Sequence, residues 1–147
     1  MEFNQKFKTI KGNTLTLKLI ETFVGDDRVI PFYYYDIYLN SISSAIGKIS
    51  IRIGHNEHSY FNGNVGYEID EPFRGNGYAK LAVMMTYKIA KFHNLTYLII
   101  SCDDDNYPSK SVIIKLGGTH IESIRPPKNY VFYYDGIPKH SIYGIDI

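Results

Sequence analysis

The chain holds a single cysteine, Cys102, so no internal disulfide can form, and a reducing cytoplasm is the expected home. No apolar run approaches the roughly 18 residues needed to span a bilayer, and Met1-Glu2-Phe3-Asn4-Gln5 has no apolar signal core, so neither membrane insertion nor secretion is expected. Charge of one sign is also missing: 16 Lys and Arg stand against 15 Asp and Glu, a formal +1, which leaves no broad field to gather nucleic acid or anionic lipid. Tryptophan is absent, as are internal repeats, low-complexity tracts and Pro/Ser-rich linkers, so no domain boundary is visible in residues 1–147. What remains is one domain's length of chain, 44% apolar and rich in Tyr and Phe, enough to fill a core.

Hydrophobic period divides the chain. In the first half, Leu15, Leu17 and Leu19 alternate with polar residues, Phe32 to Tyr38 follows a turn-rich stretch at Gly25-Asp26-Asp27, and Ala45 to Ile53 carries Ile49, Ile51 and Ile53 on one face. A polar turn from His55 to Asn64 then leads to Val65-Gly66-Tyr67-Glu68-Ile69-Asp70, and the pattern predicts an antiparallel meander. From Tyr78 to His93 the period becomes helical, with Tyr78, Ala82, Met85, Ile89 and Phe92 in one stripe. Thr96 to Ile100 reads as a buried strand, so strand, helix and strand predict a central parallel pair joined by a crossover helix.

A second helix is punctuated by Asn106 as cap, Pro108 in its first turn and Gly117 at its end. After a strand at His120 to Ile124, an Asp135-Gly136 turn between Tyr130–Tyr134 and Ser141–Ile147 predicts a C-terminal hairpin. The fold class expected is mixed α/β.

The chemistry concentrates in Asp70-Glu71-Pro72-Phe73-Arg74-Gly75-Asn76-Gly77-Tyr78-Ala79, between a strand end and the long helix. Two glycines remove Cβ atoms that would hold a ligand off the backbone, and the unpartnered first-turn amides carry the positive end of the helix dipole. A phosphate suits that position. A P-loop would need Gly-Lys-Ser/Thr, which is missing, and a dinucleotide fingerprint would need glycine where Lys80 stands.

Arg74-x-x-Gly77-x-Ala79 resembles the pyrophosphate-binding motif Gln/Arg-x-x-Gly-x-Gly/Ala of the GNAT N-acetyltransferase superfamily. Val65 to Ile69 resembles the strand before that motif, and Asn106-x-x-Ser109 with Lys115-Leu116-Gly117 resembles the family's second helix, so the likeness covers about residues 45 to 125. The resemblance implies a GNAT-like fold and acetyl-CoA as co-substrate, with no metal. The amides of Gly75, Asn76, Gly77, Tyr78, Ala79 and Lys80, after Arg74, would cradle the pyrophosphate. Backbone near Tyr67, Glu68 and Ile69 would pair with the pantetheine arm, Asn106 and Ser109 would reach it from the neighbouring strand end, and an amide near Ile69 would hold the oxyanion.

The implied reaction is direct acetyl transfer to a primary amine, expected to be that of a small molecule, with Glu68 as first candidate for the base. Tyr67 is its alternate, because successive strand residues face opposite ways. Two departures from the family stand out. Ile113 occupies the place where many relatives carry a Tyr acid, with Tyr107, Tyr133, Tyr134 or Tyr143 as substitutes to consider. Only about ten residues separate the first two long strands, where most relatives insert two helices that wall the acceptor site. Both departures also suit a rival, a catalytically silent acyl-CoA-binding sensor or regulatory module. Exposed sheet edges are compatible with a homodimer.

Cys102, the His55/His58 pair and Asp103-Asp104-Asp105 are read as a packed thiol, ordinary side chains and a solvated turn rather than a nucleophile or metal ligands.

Overall fold

The computed structural model describes residues 1–147. The elements in chain order are β1 (Thr9–Lys11), β2 (Leu15–Phe23), β3 (Phe32–Leu39), β4 (Ala45–Arg52), α1 (Glu57–Asn62), β5 (Val65–Ile69), α2 (Tyr78–Phe92), β6 (Tyr97–Asp103), α3 (Tyr107–Lys115), β7 (Thr119–Ile124) and β8 (His140–Asp146). The predicted meander is present: β1 to β5 form one sheet in sequence order, every neighbouring pair antiparallel. Alternation puts Leu15, Leu17, Tyr33, Tyr35, Ile37, Ile49 and Ile51 on its buried face. At the start of β4 the register slips opposite Ile37 and Tyr38. Gly47 there lies so close to the Glu68 backbone that a Cβ would collide with the Glu68 carbonyl.

Helix α2 covers the buried face with Ala82, Val83, Thr86, Ile89 and Ala90. This face is rotated from the predicted stripe, and Phe92 is 43% exposed. Small side chains at 82, 83, 86 and 90 let the helix approach the sheet closely. Thr86 can be buried because its hydroxyl donates to the Val83 carbonyl at 2.6 Å. Phe92 packs edge-on against Phe7, with the Lys6 ammonium over its ring. No helix is long and apolar enough to cross a membrane.

Three expectations are corrected. The central parallel pair is not a hydrogen-bonded pair: β5 ends the first sheet, and β6 begins a second of order β6-β8-β7, antiparallel throughout. The two sheets meet at buried Asn64. Its N–H donates to the Ile99 carbonyl at 2.6 Å, its side-chain oxygen accepts from the Ile99 N–H at 2.8 Å, and its amide nitrogen donates to the Arg52 and Gly54 carbonyls at 3.0 and 2.7 Å. A side chain thus supplies one backbone bond of a strand pair; beyond it β5 bonds only to β4 and β6 only to β8. The gap between β5 and β6 is a direct result.

The second correction concerns His55 to Asn64, which contains α1 rather than only a turn. Asn56 and Ser59 form a capping box, with Asn56 Oδ1 accepting from the Ser59 N–H at 2.7 Å and Ser59 Oγ from the Asn56 N–H at 2.8 Å.

The third is the C-terminal hairpin. Residues 130–134 are not a strand; β8 pairs with β7 and β6. Pro126, Pro127 and Pro138 lack the N–H a ladder needs. The segment instead folds through turns, with Tyr130 N–H on Pro127 O, Tyr133 N–H on Tyr130 O and Ile137 N–H on Tyr134 O. Tyr130 and Ile137 are its buried anchors.

Candidate functional site

Strand β5 ends at Ile69, a single turn of 3₁₀ helix follows at Glu71–Phe73, and α2 starts at Tyr78. The connecting loop is braced from within: Arg74 Nε donates to the Ile69 carbonyl at 2.7 Å, and the Asn76 side-chain amide donates to the Phe73 and Arg74 carbonyls at 3.0 and 3.2 Å. Gly75 and Gly77 have φ of +82° and +78°, a region that L side chains seldom adopt, and no atom lies within 4 Å of where either Cβ would stand. From Gly75 to Lys80 the backbone N–H groups make no backbone hydrogen bond, and no side chain caps α2. The result is a run of free amides at a helix N-terminus facing open space, an arrangement suited to an anion.

The loop forms one wall of a cleft of about 540 Å³. Of the residues expected at the site, Tyr67, Glu68, Ile69, Arg74, Gly75, Gly77, Tyr78, Ala79, Lys80, Asn106 and Ser109 line it. Asn76 does not; it braces the loop. Phe73, Pro108, Ser111, Val112 and Lys115 also line the cleft and were not singled out from the sequence. The last four share α3 with Ser109, so the signal was helical spacing from Asn106 onward. With Arg74, Lys80 and Lys115 against the one carboxylate of Glu68, the lining is cationic.

Strand β5 carries Tyr67 and Glu68, the two side chains expected from the sequence to be catalytic. Val65, Tyr67 and Ile69 turn to the core side, while Gly66 and Glu68 share the other face with Lys48 and Ser50, their register partners on β4. Asn64 O and Asp70 N–H both bond to β4. By ladder alternation the even residues direct their backbone toward β4, whereas Tyr67 and Ile69 direct theirs into the gap. Ile69 O is taken by Arg74, which leaves the Tyr67 N–H and C=O and the Ile69 N–H on that edge.

Asn106 caps α3, accepting from the Ser109 N–H at 3.2 Å. Ile113 is fully buried and bears no hydroxyl, and none of Tyr107, Tyr133, Tyr134 and Tyr143 lines the cleft. The Tyr67 hydroxyl is buried without a hydrogen-bond partner. Burial raises its pKa, and interaction with the Ser109 side chain partly offsets that rise.

The remaining candidates have structural tasks. Burial pushes the Cys102 thiol up to about 11 and keeps it protonated. His58 Nδ1 accepts from the Val131 N–H at 3.0 Å, which ties α1 to the segment before β8. Asp104 accepts from Ser141 at 2.6 Å and Ser123 at 2.8 Å, hydroxyl bonds that hold its carboxyl at about 2 and join the end of β6 to β7 and β8. No group of three or more His, Cys, Asp or Glu side chains is arranged to hold a metal ion.

The link between β2 and β3, residues 24–31, contains no helix, so the sheet face bearing Tyr34, Lys48 and Glu68 has no helical wall from that connection.

Solved structures share this architecture. RimL, a ribosomal L7/L12 alpha-N-protein acetyltransferase in complex with coenzyme A, aligns at 18% identity over 95% of this chain and 98% of its own, with TM-score 0.65. Ribosomal-protein-S5-alanine acetyltransferase from Vibrio fischeri aligns at 22% identity over 78% of this chain and 61% of its own, TM-score 0.61. The microcin C7 self-immunity acetyltransferase MccE, in complex with acetyl-CoA and AMP, aligns at 20% identity over 79% and 61%, TM-score 0.60. No curated protein is matched in sequence. The family model described as Acetyltransferase (GNAT) domain matches residues 11–119, which takes in β5, the glycine loop, α2 and all of α3. The loop geometry, the cleft beside it and a match across most of the chain converge, and the protein belongs to the GNAT acetyltransferase family.

Proposed function

We propose that the cleft takes acetyl-CoA and that the protein transfers the acetyl group directly to a primary amine. The observation that carries this reading is the run of free amides from Gly75 to Lys80, open to a ligand because both glycines lack a Cβ. These amides would hold the pyrophosphate, with Arg74 and Lys80 adding positive charge. The free backbone edge of β5 at Tyr67 and Ile69 would take the pantetheine arm as an added strand, with Asn106 and Ser109 opposite. Acetyl-CoA supplies an acyl thioester already activated toward amines.

The Ile69 N–H is the chain's donor for the developing oxyanion. A Lys-like amine, with a pKa near 10, is largely protonated at neutral pH and must lose its proton before it attacks. Glu68, exposed on the face left without a helical wall, is the acceptor for that proton, directly or through water. Glu68→Gln is expected to leave acetyl-CoA affinity within about twofold and to lower kcat by about 10²-fold near pH 7, within the usual range for general-base loss. The deficit shrinks toward pH 10, where the ammonium loses its proton unaided. An unchanged pH–rate profile removes Glu68 from this role.

The acceptor is proposed to be a small-molecule amine. The open sheet face also supports a second reading, the amino terminus of a polypeptide, since no helix from the β2–β3 link limits what can approach Glu68. Burial of Ile113 where relatives carry an acid supports a third, a silent acyl-CoA-binding module.

Thermal shift and thiol release test these readings together. Acetyl-CoA at about a hundred times Kd should add roughly 2.7 kcal/mol of stability, and ATP or NADH none. A shift with ATP alone overturns the cofactor assignment. Thiol release across polyamines, amino sugars, amino acids and peptides then identifies the acceptor class, and binding without release from any of them favours the silent module.

A further inference from the structure

Strand β4 ends on Arg52, a cation with no task in the site described above. It follows Lys48 and Ser50 on the sheet face that carries Gly66 and Glu68. Its guanidinium is half-buried and makes one hydrogen bond, from Nη1 to the Gly63 carbonyl at 3.1 Å. No ion pair in the chain includes Arg52. Burial depresses its pKa, and the one ionisable group that acts on it is the Tyr130 phenol, itself pushed up to about 12 by burial and so protonated. A charge drawn from water without a counter-charge calls for an explanation. The free N–H groups are within reach of a ligand: the buried polar atoms without a partner are the hydroxyls of Tyr67 and Tyr87, so those of Arg52 keep an open side. The three atoms nearest to where a Gly66 Cβ would stand are Arg52 Nη2 and Ser50 Oγ, each at 3.4 Å, and Arg52 Nη1 at 3.5 Å. With no side chain at Gly66, the guanidinium and the Ser50 hydroxyl border an uncovered stretch of β5. The cavity that Arg52 shares with Arg28, Asn56 and His58 has a volume of about 10 Å³, room for one water, so a larger group approaches over Gly66.

We propose that Arg52, with Ser50 Oγ beside it, binds a carboxylate carried by the acceptor, so that the substrates are ω-amino carboxylates with the amine at Glu68 and the carboxylate over Gly66. The inference rests on the acetyl-transfer reading above and deepens it by naming the substrate class. A carboxylate matches the guanidinium fork in shape, and its single charge balances that of Arg52. A phosphate dianion in the same place would leave negative charge uncompensated. Lys48 faces Glu68 in register and stands too near the amine's position to hold the far end. The spacing sets the chain length. Gly66 and Glu68 lie roughly 7 Å apart along one face of β5, which at about 1.2 Å per bond of an extended chain corresponds to about four or five methylenes between amine and carboxylate.

The test measures thiol release from acetyl-CoA with unbranched ω-amino carboxylates of increasing length and with their carboxamide twins. In the wild type, kcat/KM should favour the carboxylate over its twin by about 10- to 100-fold, the range for hydrogen bonds to a charged group, with the optimum at about four or five methylenes. Arg52→Gln should bring that ratio down to about one. Gly66→Ala carries the test where Arg52→Gln fails to fold: its methyl meets Arg52 Nη2 and Ser50 Oγ at ordinary contact distance, covers the approach to them and leaves the bond to Gly63 in place, so the ratio should again fall toward one. Because each ratio is taken within one protein, a general loss of activity or stability in a variant divides out. A ratio near one at every length in the wild type, or a preference that survives both substitutions, overturns the carboxylate site and leaves acetyl transfer standing. Absence of thiol release with every amine overturns the acetyl-transfer reading and this proposal with it.

Discussion

Gly77→Val is expected to abolish acetyl-CoA binding, with at least a hundredfold loss of affinity, while the fold survives. In the unliganded protein the new Cβ meets nothing, since no atom lies within 4 Å of its position. Its only intrinsic cost is a branched residue at φ +78°, about 1–2 kcal/mol, or a few degrees in melting temperature for a domain this size. The open space it fills is where the proposed pyrophosphate would lie against the amides of Gly75 to Lys80. Gly136→Val is the matched control: φ is +85°, no atom lies within 4 Å of its Cβ position either, and the residue is outside the cleft. Titration calorimetry and thermal melts on the two variants separate backbone strain from ligand exclusion. Equal affinities in both would remove the anion site from this loop.

Asn64→Ala is expected to destabilise the protein by about 3 kcal/mol or more. The side chain satisfies three backbone groups, the Ile99 N–H and the Arg52 and Gly54 carbonyls, and a buried group left without a partner costs about 1–3 kcal/mol. A loss near 3 kcal/mol corresponds to roughly 6–12 °C for a chain of this size. Asn64→Asp should be no milder, because its second oxygen would face two carbonyls that now receive N–H bonds. Urea unfolding monitored by tyrosine fluorescence reads the loss; a midpoint shift worth under 1 kcal/mol would show that the junction of the two sheets does not depend on this residue. Because Asn64 stands at the root of the gap between β5 and β6, the same variant should also weaken acetyl-CoA binding.

Much of the candidate site is legible in the sequence, because its determinants are local. The Arg74-to-Ala79 pattern, the Asn106 cap and the alternation through β5 each depend on residues a few positions apart, and the folded chain brings most of the expected residues to one cleft. The missed features depend on partners far along the chain. Lys115 enters the cleft through the docking of α3. In residues 130–134 strong β propensity misled, because turn hydrogen bonds and the burial of Tyr130 and Ile137 hold the segment away from β8.

By itself, the sequence determined the antiparallel meander, the long helix, the glycine loop at its start and the family resemblance, since period, caps and backbone freedom are properties of short segments. Only tertiary structure decided that the strands flanking α2 belong to separate sheets, and that the end of β5 and the glycine loop face α3 across the cleft. That outcome depends on Asn64 meeting the backbone of Ile99, 35 residues away, and on β8 inserting between β6 and β7, pairings that no local pattern encodes.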